Sequence, residues 1–157
     1  MARSLGESTI TVSVLDRLID LEPDTRMENP LSRSQSVRLL KNSVRRDLEW
    51  LLNSRRAFVP EIEDYPLAAN SVFTFGLPDV NELPGGNSAS NVLAAISQTL
   101  LIHEPRIREP RVSLVRTDTL ARSLRFHVEG KLVLENSEED ISFDTLFEVT
   151  SGEYQVK

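Results

Sequence analysis

The chain contains no cysteine. That excludes disulfides, cysteine-ligated zinc, iron–sulfur centres and thiol nucleophiles. It also removes any sign of an oxidising compartment and leans weakly toward the cytoplasm. Histidine is scarce as well. His103 and His127 are the only two, and neither has a close histidine or cysteine partner, so a metal centre is not expected. Aromatic residues are 6% of the chain and none lies among the arginines at base-stacking intervals. Nucleic acid is therefore not an expected partner. No apolar run approaches the roughly 18 residues of a membrane span, so direct membrane insertion is not expected. The opening residues Met1–Glu7 have no apolar signal core behind them, and a cleaved secretory signal is not expected. Glycine is sparse, and Gly85-Gly86 stands alone as a turn rather than opening a helix after a strand. Phosphate cradling has no support from it, and nothing implies a cofactor. Internal repeats and low-complexity segments are also lacking.

What is present is a chain of 157 residues with 39% apolar and 27% charged side chains. That composition predicts one soluble globular domain over 1–157 with a core of its own. The net charge of −6 is distributed in bands. Residues 1–32 are acidic, 33–56 strongly basic, 57–102 acidic without a single Lys or Arg, 103–125 basic and 126–157 acidic. Banding of this kind predicts electrostatic matching, either between the chain's own elements or with partners. Arg45, Arg46, Arg55 and Arg56 are the cations to watch.

The periodicity places helices first. Val12, Leu15, Leu18 and Ile19 predict a helix from Ser8 to about Leu21, ended by Glu22-Pro23-Asp24, with 1–10 flexible. Val37, Leu40, Val44, Leu48 and Leu51 form one apolar stripe and predict a second helix from Ser34 or Ser36 to Leu52, with Trp50 and Leu52 widening that stripe. Residues 57–91 read as a long irregular connection. Within it, Val72–Asp79 is an apolar patch expected to pin the connection to the core. A third helix, from Ser88 or Ser90 to His103, is apolar nearly all round and predicts deep burial. After Pro110 the period changes to two. Arg111–Thr117, Leu124–Leu134 with a break at Gly130, and Ile141–Val149 predict strands joined by short polar turns, with Glu153–Lys157 as a short edge strand. The predicted fold is α+β: N-terminal helices packed on a C-terminal antiparallel β-meander. An edge strand of such a sheet is a template for another chain's strand.

Enzyme chemistry finds little footing. Serine, histidine and aspartate are all present, but no serine sits in a nucleophile-elbow context. A carboxylate pair for glycoside hydrolysis needs two acids across a cleft. Glu104 is a candidate because it follows an apolar helix, and its plain alternative is an ion pair with Arg106.

Four ordered motifs carry a resemblance. They are Ser13-Val14-Leu15-Asp16-Arg17-Leu18, the run Val44–Arg56, Phe75-Gly76-Leu77-Pro78-Asp79, and Glu104-Pro105-Arg106. In this order, followed by a meander ending Thr150-Ser151-Gly152, they resemble the TssE family from about Ser13 to about Gly152. These are baseplate subunits of the bacterial type VI secretion system, related to a small wedge protein of contractile phage tails. One departure is Phe75, where the family pattern has a tyrosine. The resemblance implies a structural role without catalysis, in the cytoplasm, within a baseplate docked at the inner membrane. It implies assembly with the wedge subunits TssF and TssG, and initiation of the TssB–TssC contractile sheath. TssK and the Hcp tube belong to the same assembly. It further implies that Glu104, Pro105 and Arg106 contact the wedge core, with Arg45 and Arg46 as further partner-binding candidates. Some phage relatives carry a lysozyme label, and a peptidoglycan-cleaving enzyme is the alternative reading.

Overall fold

A computed structural model of the chain describes residues 14–18, 32–79, 88–118, 123–134, 137–148 and 151–157. Four helices, α1 (Val14–Leu18), α2 (Arg33–Asn53), α3 (Pro66–Ala69) and α4 (Ala89–His103), precede four strands. The strands are β1 (Ile107–Asp118), β2 (Ser123–Val133), β3 (Glu138–Glu148) and β4 (Glu153–Val156). They pair antiparallel in the order β1-β2-β3-β4. This is the α+β meander that the sequence predicts.

Local chemistry explains the elements. Ser32 caps α2 in a reciprocal box: its side chain accepts from the Gln35 N–H, and the Gln35 side chain accepts from the Ser32 N–H at 2.8 Å. That satisfies two otherwise orphaned donors and starts the helix one to three residues before the predicted serines. Ser88 caps α4 through the Asn91 N–H. The stripe of α2 (Val37, Leu40, Val44, Leu48, Leu51) is buried, as are Val92, Ile96 and Leu100 of α4. Both helices lie on one sheet face, α2 against β4 and α4 against β1. Leu124, Phe126 and Val128 of β2 and Ile141, Phe143 and Phe147 of β3 meet them there in a single hydrophobic cluster.

Several expectations need correction. Trp50 does not widen the core face. It is 57% exposed, with the Arg46 guanidinium 5.6 Å from its ring centroid. The outer face of α4 is not buried either, since Leu101 is 61% exposed. β1 begins at Ile107, ahead of Pro110. An edge strand tolerates proline because its missing N–H faces away from the ladder, and the register shifts between Arg108 and Arg111. Gly130 does not break β2. It sits opposite that bulge, where a side chain would collide with Ile107 and the Arg108 carbonyl. Of the predicted first helix, only Val14–Leu18 falls within the described residues. The flexible segment 1–10 and the Gly85-Gly86 turn lie outside them.

The connection after α2 is held at a few points. Gly76 adopts φ 104° and lies so close to the Ser54 carbonyl that a Cβ has no room. Leu77 then donates to the Ser54 carbonyl and accepts from the Arg56 N–H, both at 2.8 Å. Leu77, Thr74 and Ile62 are buried, whereas Val72 and Phe73 are exposed at 82% and 66%. The patch therefore pins the chain through Leu77, Thr74 and the edge-on contact of Phe75 with His103, and not through Val72 and Phe73.

Candidate functional site

The α4–β1 corner carries the densest ordered charge among the described residues. Glu104 ends α4 and is only 4% exposed. Its Oε1 accepts from Arg106 Nε at 2.7 Å, and its Oε2 from Arg106 Nη2 at 2.5 Å. The Arg106 backbone N–H also reaches Oε1 at 3.2 Å. Pro105 stands exposed between them. From α2, Asp47 Oδ2 accepts from Arg106 Nη2 at 2.8 Å. Asp47 Oδ1 accepts from Arg46 Nη2 at 3.1 Å, and Arg46 Nη2 donates to Asp16 of α1 at 2.7 Å. Asp16 accepts from the Ser43 hydroxyl as well.

Five charges thus alternate in sign from α1 through α2 to the α4–β1 corner. Hydrogen bonding to Glu104 raises the Arg106 pKa further above its ordinary range, against the opposing effect of desolvation. The Asp16 hydrogen bond does the same for Arg46. Both arginines remain charged throughout, which is what a bracing network requires. Arg106 Nη1 has no hydrogen-bond partner among the described residues and keeps two N–H groups available.

Of the five residues singled out in the sequence, the structure gathers Glu104, Pro105, Arg106 and Arg46 around this corner. Arg45 stands elsewhere. It lies 3.5 Å from Glu49 and donates to the Val156 carbonyl at 3.0 Å. Next to it, the Asn53 amide exchanges two hydrogen bonds with the backbone of Tyr154, at 2.8 and 2.9 Å. Tyr154 and Val156 turn these groups away from β3, so α2 side chains cover the outer edge of β4. The edge of β1 receives no such cover among the described residues. Asp47 is the residue that sequence reasoning missed. It is 59 positions from Arg106, and its one signal was to be one of two acids, with Glu49, within a basic helix.

The matching of charge bands is real within the chain. Lys41 of α2 lies 3.5 Å from Glu139, and Arg108 of β1 lies 2.6 Å from Glu138.

The enzyme readings fare differently. The register lines up Ser113, His127 and Asp144 on the outer sheet face. Asp144 meets His127 Nδ1 at 2.8 Å, but Nε2 faces Glu129 at 3.4 Å and not a hydroxyl. No activated serine results. Both oxygens of Glu104 are taken by Arg106, leaving neither aimed into a cleft.

These features define an α+β module with an ion-paired corner and, among the described residues, one open sheet edge, a form suited to assembly with other chains. The chain belongs to the baseplate wedge protein gp25 family, whose model matches residues 38–137. That span is narrower than the resemblance drawn from 13 to 152, yet it holds most of α2, the Phe75–Asp79 motif, the corner and β2. It is the family to which TssE belongs, a family of structural baseplate proteins of contractile tails. No curated protein matches the chain.

Proposed function

We propose that the chain is a wedge subunit of a type VI secretion baseplate that joins TssF and TssG and starts polymerisation of the TssB–TssC sheath. In this reading it works in the cytoplasm, within a baseplate that TssK docks at the inner membrane, around the Hcp tube. The observation that carries the reading is the Glu104-Pro105-Arg106 corner inside a gp25-family match. Glu104 and Asp47 fix the plane of the Arg106 fork, and Nη1 is the donor left for a partner. A charged hydrogen bond of that kind is worth about 1.5–3 kcal/mol. The edge of β1 supports strand addition from the sheath, because β4 has its outward groups engaged. Arg45 and Arg46 act in this account by holding β4 and the corner, not by direct contact.

The test is a tagged pull-down from the native host in mild salt, with partners identified by mass spectrometry. Recovery of TssF- and TssG-like subunits with sheath protein is expected. Recovery of the chain alone, where those subunits are expressed, would contradict the proposal.

A further inference from the structure

Between α4 and the connection lies an open groove of about 400 Å³. Ala94, Ala95, Gln98 and Thr99 line its helical wall, and Thr74 and Pro78 line the opposite wall. Phe75, 39% exposed, packs edge-on against His103 at one end. Leu101, one turn beyond Gln98, continues the exposed face. The groove is mostly apolar, and its charged lining residue is Arg56. Unlike Arg45, Arg46 and Arg106, Arg56 has no carboxylate within ion-pair distance among the described residues. Its neighbour Arg55 is 83% exposed and reaches Asp79 only at 3.8 Å.

An apolar trough whose rim carries a cation without an ion-pair partner among the described residues is complementary to an apolar segment that carries a carboxylate. The short, exposed side chain of Ala94 lets a second helix approach α4 closely. We infer that this groove receives an amphipathic, acid-bearing helix from another wedge subunit, with a Glu or Asp of that helix paired to Arg56. This rests on the wedge reading given above, and it names a second contact, separate from the α4–β1 corner.

The test uses the whole chain co-expressed with TssF- and TssG-like subunits of its host. A photocrosslinking phenylalanine is placed at Ala94. Arg56→Glu is compared with the unsubstituted chain for affinity and for thermal unfolding. Expected are an Ala94 adduct on an acid-bearing helix of a partner and an affinity at least tenfold lower for Arg56→Glu, with unfolding unchanged. Reversing the crosslinked acid to lysine should then restore binding to Arg56→Glu. If the complex forms but Ala94 gives no partner adduct, or Arg56→Glu binds as well as the unsubstituted chain, the groove inference is overturned and the wedge reading stands. If no complex forms at all, both fall.

Discussion

Thr145 sits on the inner face of β3, 1% exposed, and its hydroxyl finds no hydrogen-bond partner among the described residues. Burying an unpaired hydroxyl costs free energy. Thr145→Val should therefore raise the urea-unfolding free energy by about 1 kcal/mol; a fall of that size would mean that the hydroxyl is bonded after all. Tyr154 stacks on Phe147 with ring centroids 4.4 Å apart, and burial pushes its phenol up to about 12. The unfolded chain releases that proton near the ordinary value of about 10. Between the two, the folded state binds more protons, so stability is complete below pH 10 and falls as pH rises toward 12. Tyr154→Phe should flatten that decline by up to about 2 kcal/mol, measured by unfolding at pH 9 and pH 11.5. An equal slope in both proteins would place the decline elsewhere. At this scale the sequence spoke unevenly. The Glu104–Arg106 pair is two positions apart and was readable as an alternative. Asp47 was not, because only the packing of α2 against the α4–β1 corner brings it to Arg106.

The elements were the most legible part, since helical stripes and period-two strands are local signals. Their ends were less so. Three serines crowd the start of α2, and Ser32 wins because Gln35 stands three residues on to close the box. Ser32→Ala removes one half of that box and should cost about 1 kcal/mol in thermal or urea unfolding. A loss below a few tenths would show that α2 is held by its packing alone. The start of β1 was hidden by Glu109-Pro110, which reads as a break until the strand is known to lie at an edge. Trp50 misled for a different reason. Its place beside Leu51 suggested the core, but Arg46 one turn earlier offers it a cation on the outer face. An aromatic near an apolar stripe does not reveal which side of the stripe it joins. The use of Asn53 and Arg45 to cover β4 depends on residues about a hundred positions apart and leaves no local trace.

For the molecule as a whole, the banded charge has a structural outcome. The basic α2 meets the acidic start of β3, and a chain of five charges ties three parts of the fold to one corner. Among the described residues, the Nη1 group of Arg106, the edge of β1 and the groove beside Arg56 are left without partners. The central claim is that the Arg106 fork, held by Glu104 and Asp47, contacts the wedge core. Arg106→Ala is a poor test, because it strands a buried carboxylate at a cost of roughly 3–5 kcal/mol. Arg106→Lys keeps a cation for Glu104 and loses the planar fork. The decisive measurement is the affinity of Arg106→Lys for co-purified TssF- and TssG-like subunits, with urea unfolding of the same sample as the control. The account predicts a folded variant that binds more than about tenfold more weakly, the loss of one charged hydrogen bond. A folded variant that binds as tightly as the unsubstituted chain would contradict it and leave the corner as a brace alone.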